Sequence, residues 1–223
     1  MNQFAIKEIK EMEKKLAGYQ YLLTFRYANL CIKADPMALL PVSVLVGTAL
    51  MDLEQVAEVN NLGEYHFAVI PNNPDVLHDV ERAILKAHPE FKVSTEQMDD
   101  DDPQSTFLLL EMPEVDKDRR DLLTDATKSL YEECKARMEA VVFDEKKGFA
   151  ELLVKEPESL KEISDAVKKK YEEYLDNIDG LKDKKLTEIE DAYEKYLESH
   201  PENGQGDDID VSKSMRLFNK EEA

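Results

Sequence analysis

The side chains that most often carry chemistry are few in this chain, and they are widely separated. Its 223 residues include four histidines and two cysteines. The histidines lack the spacing of a metal site or a catalytic triad, and no phosphate-binding loop or nucleophile elbow is present. Each cysteine falls in a helical apolar pattern, which is typical of a buried, reduced thiol. The sequence therefore predicts a protein that is not an enzyme and has no cofactor or metal site. These residues are His66, His78, His88, His200, Cys31 and Cys134.

Acidic residues dominate the charged set. The chain has 49 Asp and Glu against 29 Lys and Arg, a formal net charge of −20. Nucleic-acid binding begins with clustered Lys and Arg, so we expect no DNA or membrane partner unless the basic residues are segregated. The run Asp99–Asp102 could ligate a metal, but it lacks the spacing of a calcium loop, and a solvated loop is favoured. No secretory signal or membrane-length apolar run is visible, which predicts a cytoplasmic protein.

Three long segments carry apolar residues in steps of three and four, the spacing of one helix face. They span Asn2–Lys33, Pro113–Val154 and Ser159–Ser199. Ser159 and Glu162 have the spacing of a capping box, which predicts the start of the third helix. Together these segments predict a three-helix antiparallel bundle.

The block between the first two helices has a different character. Short β-branched and aromatic runs bounded by prolines predict strands, and Asn73-Pro74-Asp75 predicts a helix start. The block therefore reads as a small α/β unit inserted into the bundle. The predicted strands are Leu40–Gly47, Tyr65–Ile70, Phe91–Ser94 and Phe107–Met112, with Leu53–Val59 left as a short helix or turn.

The predicted fold class is α+β, with a discontinuous bundle and an inserted small α/β domain. The bundle takes residues 1–35 and 113–200, the insertion takes 36–112, and residues 201–223 form an acidic tail that we expect to be disordered. A docking role for Met215–Phe218 in that tail is the alternative. The two crossings between domains predict a hinge. It consists of Asp35, Pro36, Met112 and Pro113.

The order of these elements resembles the ribosome recycling factor family, and three segments are similar to its motifs. Val46–Val59 resembles the family's glycine-threonine segment, with one extra residue and without its two prolines. Val80–Ala87 resembles its V-E-K-A-I helix, and Arg119–Ala140 its E-R-R-x-x-L…E-x-x-R-[VI]-A helix. The likeness covers residues 3–199 and leaves the tail unmatched. It implies an L-shaped, two-domain, monomeric translation protein that binds the ribosome and, with elongation factor G, helps to separate its subunits after termination.

The resemblance also implies an RNA-binding surface, and here the chain departs from the family. Val141, Asp144 and Glu145 stand where the family has arginines. Because like charges in an interface are repulsive, we expect this charge reversal to weaken contact with large-subunit RNA. The RNA-binding residues that the resemblance leaves are Arg119, Arg120, Arg137 and Lys33.

Helical phase adds one further expectation for the same segment. At about 100° per residue, Phe143 points roughly 200° away from Leu123 in the core stripe, and Val142 lies near the edge of that stripe. An exposed patch of Val142 and Phe143 would suit a protein partner, whereas packing under a neighbouring loop is the alternative. Two functions stay open: a ribosome-binding recycling protein, or a divergent paralogue that has lost ribosomal RNA binding and acts as an acidic protein-interaction module.

Overall fold

The computed structural model describes residues 3–97, 106–152 and 157–202. Helices and strands alternate in the middle of the chain and long helices lie at its two ends. In chain order the elements are α1 (Gln3–Ala28), β1 (Ser43–Val46), β2 (Ala49–Asp52), α2 (Leu53–Val56), β3 (Ala57–Asn61), β4 (His66–Pro71), α3 (Leu77–Ala87), β5 (Lys92–Gln97), β6 (Thr106–Glu111), α4 (Lys117–Leu152) and α5 (Pro157–Ser199). Short 3-10 turns at Pro36–Leu39 and Pro74–Val76 precede β1 and α3.

Helices α1, α4 and α5 pack side by side as a bundle. Cross-helix contacts show that α4 runs antiparallel to α1: Lys15 of α1 pairs with Glu145 of α4, and Arg26 pairs with Glu133. The bundle core is built from side chains that recur every three or four residues. It includes Met12, Leu16, Leu23, Cys134, Met138, Phe149, Ile163, Val167 and Ile178. No helix in the described ranges has the length and hydropathy to cross a bilayer.

The inserted unit has a two-stranded hairpin, β1 with β2, and a four-stranded antiparallel sheet in the order β3-β4-β6-β5. Gly47 in the hairpin turn has φ +62°, a conformation that favours glycine. Helix α3 packs its apolar face on this unit through Val80 and Ile84. Phe67 of β4 faces Leu110 of β6, and both are fully buried.

The chain leaves the bundle at two adjacent residues that belong to different cores. Cys31 packs in the core of the inserted unit. Ile32 instead packs with Val115, Leu123 and Tyr193 in a third cluster at the end of the bundle. Cys31 has φ +49°, an uncommon left-handed conformation for a residue with a side chain. That turn lets consecutive side chains point into two cores.

The mixed helix-and-sheet architecture confirms the predicted fold class, with corrections at element ends. Helix α1 ends at Ala28, not Lys33, because Cys31 adopts the left-handed conformation. Helix α5 begins at Pro157, so Ser159 lies inside it and is not the predicted cap. Proline suits this first position because it has no N–H to leave unsatisfied. The Asp99–Asp102 run and residues 203–223 of the tail lie outside the described residues.

The inserted unit departs further from the predicted elements. The segment expected as one short helix or turn contains the helical turn α2 followed directly by β3, and β2 falls outside the predicted strands. Strand β2 is mostly exposed on both faces, so it lacks the alternation that identifies a half-buried strand. The predicted strand Leu40–Gly47 shortens to β1. Asn73 does cap its turn, accepting a hydrogen bond from the Asp75 amide at 3.0 Å.

Candidate nucleic-acid interface

The predicted RNA-binding residues fall on α4 and on the crossing after α1, and each has a partner inside the protein. Arg120, in the first turn of α4, donates from Nε and Nη2 to Asp121 Oδ1 at 3.0 and 2.8 Å. Its guanidinium lies over the Tyr193 ring, 4.4 Å from the ring centroid. The carboxylate raises the pKa of Arg120 further, so this side chain stays charged.

Arg119 is held at the junction of bundle and insertion. Its Nη2 donates to the Cys31 carbonyl at 3.2 Å, and its buried Nε has no hydrogen-bond partner among the described residues. A guanidinium fixed to the backbone in this way is a structural clamp between α4 and the first crossing. Of the matched arginines, this one has the least freedom to reach a phosphate.

Arg137 lies in the middle of α4 and shares a carboxylate with α1. Glu133 accepts from Arg137 Nη2 and from Arg26 Nη1, both at 2.6 Å. Hydrogen bonds from Arg26 and then Arg137 hold the pKa of Glu133 below its usual value. The Arg137 side chain is 49% exposed, so solvent screens these pairs and a phosphate could replace Glu133.

Lys33 shares one carboxylate, that of Glu64, with a second lysine at the junction of bundle and insertion. Its Nζ lies 3.7 Å from Glu64 Oε1, and Lys195 of α5 reaches the same oxygen at 2.6 Å. The hydrogen bond from Lys195 lowers the pKa of Glu64, and the same bond raises the pKa of Lys195. Lys33 therefore helps to tie the inserted unit to the end of the bundle, a role that sequence reasoning missed because Glu64 and Lys195 are distant in the chain.

The segment that replaces the family's arginines is less repulsive than its sequence suggests. Glu145 is only 12% exposed and pairs with Lys15 of α1 at 3.1 Å. The hydrogen bond with Glu145 raises the pKa of Lys15, so a positive charge stays beside this carboxylate. Asp144 is exposed, so it is the carboxylate that would face an approaching phosphate. Val141 is half-buried against the bundle core.

Of the two residues in the predicted apolar patch, Phe143 is on the surface and Val142 is not. Val142 is buried at 7% exposure in the bundle core, because α4 packs against α1 on one side and α5 on the other, and the two contacts widen its buried stripe. Phe143 is 69% exposed. The surface feature is therefore one aromatic ring next to the exposed Ala136 and Ala140 on the same helix.

The four predicted hinge residues are structured differently. Asp35 is extended and its carboxylate accepts from the Met37 amide at 2.9 Å, while Pro36 opens the 3-10 turn. Met112 is buried in the core of the insertion and its amide donates to the Tyr65 carbonyl at 2.9 Å. Pro113 is half-buried and follows directly. Met112 is thus anchored to the sheet, and Val115, two residues after Pro113, is already buried in the cluster at the end of the bundle.

One cluster of potential ligands was not anticipated from sequence. Cys31, His88 and Glu90 place one ligand atom each within 4.8 Å of one another. Burial raises the pKa of the Cys31 thiol to about 12, with the Glu90 charge adding to the effect. Only the short His88–Glu90 spacing was visible in the sequence, because Cys31 is 57 residues away from His88.

Comparisons with known proteins agree with this architecture. The chain is 27% identical over 197 residues to the ribosome-recycling factor of Bacillus velezensis, which covers 85% of this chain and all of that protein. A solution structure of a ribosome recycling factor superposes with a TM-score of 0.67 at 17% identity, over 86% of this chain and all of the other.

A second solved structure presents the T. thermophilus ribosome recycling factor and the E. coli elongation factor G bound to the E. coli post-termination complex. It matches with a TM-score of 0.55 at 21% identity, over 83% of this chain and 98% of the other. At these identities the two structures show a shared fold. The family model described as ribosome recycling factor matches residues 27–195, about three quarters of the sequence. The chain therefore belongs to the ribosome recycling factor family.

Proposed function

We propose that this chain binds the large subunit of the ribosome and, together with elongation factor G, assists subunit separation after termination. It would act as a cytoplasmic monomer. The family consists of translation factors and not of enzymes, which supports this role. The related structure of a recycling factor and elongation factor G on a post-termination complex supports the choice of partners.

The observation that carries the proposal is the line of side chains along α4. At about 100° per residue, Arg119, Arg137 and Asp144 share one face, because they are separated by 18 and 7 residues. Arg26 of α1 lies beside this line through its bond to Glu133. A chain with net charge −20 thus keeps Arg137 of α4 next to a basic residue of α1, although its acidic residues dominate elsewhere.

Ribosome co-sedimentation at low and moderate salt tests the proposal. We expect the wild-type protein to pellet with ribosomes at low salt and less at moderate salt. Arg137→Ala should weaken binding and reduce the salt slope by about 0.7–0.9, the loss of one phosphate contact. Arg82→Ala is the matched control, because Arg82 is an exposed arginine of α3 that pairs with Asp79. Absence of co-sedimentation at both salt concentrations would contradict the proposal.

The proposed function also uses the two crossings as a hinge. It would join the bundle (residues 1–35 and 113–200) to the inserted unit (residues 36–112). The bonds that span the junction include the Lys195–Glu64 pair at 2.6 Å and the Arg119 bond to the Cys31 carbonyl. The first is largely exposed, so it can break at low cost and re-form. We expect Lys195→Ala to broaden the distribution of distances between spin labels on α3 and α5, and an unchanged distribution would remove this support.

The second candidate function, an acidic protein-interaction module, rests on Phe143. The Phe143 side chain is 69% exposed, and a partner that covers it would remove this apolar surface from water, which favours binding. If this function is correct, a pull-down from cell extract returns a defined protein without ribosomal RNA, and Phe143→Ser abolishes the capture. Leu122→Ser is the matched control, because Leu122 lies on the same helix at 71% exposure. Capture that survives Phe143→Ser, or that brings ribosomal RNA with it, would exclude this candidate.

A further inference from the structure

A thiol, an imidazole and a carboxylate converge where the first crossing meets the inserted unit. Cys31 and His88 are buried, whereas Glu90 is exposed, so one side of the cluster is open to solvent. Cys31 lies three residues after the end of α1, and His88 and Glu90 come from the loop after α3. The three residues therefore join two separate parts of the chain.

Two of the three ligand–ligand distances in the cluster are close to the edges of a tetrahedron around a zinc-sized ion. Bonds of about 2.3 Å to sulfur and about 2.0–2.1 Å to nitrogen and oxygen place tetrahedral ligands roughly 3.3–3.6 Å apart. Cys31 Sγ lies 3.7 Å from His88 Nδ1, and Glu90 Oε1 lies 3.4 Å from the same nitrogen. A small rotation of the exposed Glu90 side chain would bring its oxygen towards the sulfur.

The His88 ring is oriented in the manner of a metal ligand. Its Nε2 lies 3.1 Å from the Ala38 carbonyl oxygen, and a carbonyl can only accept, so Nε2 carries the proton. In the neutral imidazole, Nδ1 then presents its lone pair to Cys31 and Glu90. The ring also stacks on Phe91, with centroids 4.7 Å apart and an interplanar angle of 11°. In metal sites, a carbonyl that accepts from the second ring nitrogen fixes the tautomer and orientation of the histidine in this way.

The backbone around Cys31 positions the thiol. Cys31 has the one positive φ among the described non-glycine residues, a conformation that residues with a side chain seldom adopt. Its carbonyl is held by Arg119, and its Sγ lies 3.3 Å from the Asn29 carbonyl. The surrounding contacts therefore fix Cys31 beside His88.

We propose that Cys31, His88 and Glu90 bind a divalent transition-metal ion of the zinc class, with water as the fourth ligand. On binding, the Cys31 thiol releases its proton to solvent as the metal–sulfur bond forms. The thiolate and the Glu90 carboxylate then neutralise the 2+ charge of the ion. The mixture of sulfur, nitrogen and oxygen ligands favours zinc over magnesium or calcium, which take oxygen ligands.

Such an ion would fasten the first crossing to the inserted unit. Cys31 stands between the bundle helix α1 and the segment that leads to Asp35 and Pro36, and Arg119 of α4 contacts its carbonyl. Metal binding would therefore slow hydrogen exchange of the amides around Cys31 and in the loop that holds His88 and Glu90. Amides of the bundle core around Met138 provide the internal reference, because they are far from the site in sequence and belong to another core.

The test uses the full chain, stripped with a chelator and titrated with Zn²⁺ or Co²⁺ alone. We expect one ion per chain, a thiolate-to-cobalt charge-transfer band, and no displacement by excess Mg²⁺. Cys31→Ala should lower affinity by at least about 100-fold and abolish the band, since even changes to residues that only support a ligand cost 10–100-fold. Cys134→Ala is the matched control, because Cys134 is the other buried free cysteine.

A second variant keeps the test decisive if Cys31→Ala does not fold. Glu90→Gln changes an exposed side chain, so the fold should be retained, as circular dichroism will check, while zinc affinity falls by about 10-fold or more. The proposal is overturned if the wild-type chain binds no Zn²⁺ at micromolar concentration. It is also overturned if the folded Glu90→Gln protein binds Zn²⁺ as tightly as the wild type does.

Discussion

Replacement of Asp144 by arginine should strengthen ribosome binding. Asp144 is exposed on α4, on the same face as Arg137 and two helical turns beyond it, about 10 Å along the axis. The substitution removes a repulsive carboxylate and adds a cation in line with the existing arginine. Asp144 suits this test better than Glu145, because Glu145 is 12% exposed and its removal would leave Lys15 without its partner.

The size of the effect follows from counterion release. One added phosphate contact changes the logarithm of the affinity by about 0.7–0.9 for each tenfold change in salt. Relative to 1 M salt, that contact contributes about tenfold at 50 mM and about fourfold at 200 mM. We therefore expect Asp144→Arg to bind ribosomes about tenfold more tightly than the wild type at 50 mM salt. At 200 mM salt this gain in affinity should be smaller by a factor of about three.

Equilibrium co-sedimentation across this salt range measures both quantities. The matched control is Asp176→Arg, the same charge change at an exposed position of α5. An equal gain from Asp176→Arg would mean that total charge and not the α4 face governs binding. If the wild type binds but Asp144→Arg changes neither affinity nor salt slope, this face of α4 does not meet ribosomal RNA and the reasoning is refuted.

Two further predictions concern stability. Thr127 is fully buried, and its Oγ1 has no hydrogen-bond partner among the described residues. Thr127→Val should therefore stabilise the protein by about 1 kcal/mol and raise Tm by about 2–4 °C. An unchanged or lower Tm in thermal unfolding would contradict this. Lys195 lowers the pKa of Glu64, so the carboxylate contributes stability above its usual pKa of 4.5 and loses it as pH falls through the lowered value. Glu64→Gln should therefore lose less stability than the wild type on acidification below about pH 5, and parallel Tm-against-pH curves would contradict this.

The bundle could be predicted from sequence because its signals are local and repeated. The apolar spacing of three and four residues along α5 gives the seam through Ile163, Val167 and Ile178, all of which are buried. Position within the seam was harder to predict. Val142 is buried although helical phase placed it at an edge, because the number of helices that pack against α4 is a property of the assembled fold.

The contacts of the predicted RNA-binding residues could not be predicted from the sequence. Resemblance pointed to Arg119 and Lys33 as RNA-binding residues. In the structure, Arg119 donates to the Cys31 carbonyl and Lys33 pairs with Glu64. These partners are separated from them by 88 and 31 residues, and pairing over such distances depends on how the insertion meets the bundle. The approach of His88 to Cys31 has the same origin, so no local motif could have indicated it.

Photo-cross-linking from position 143 tests the central claim most directly. The photoreactive aromatic residue p-benzoylphenylalanine replaces Phe143, whose exposure lets the larger ring fit without disturbing the core, and the protein is irradiated in cell extract. Recovery of the cross-link on large-subunit ribosomal RNA or protein is the result that ribosome binding through α4 predicts. A cross-link confined to a non-ribosomal protein, with none in the ribosomal fraction, would contradict ribosome binding through this face and favour the protein-interaction module.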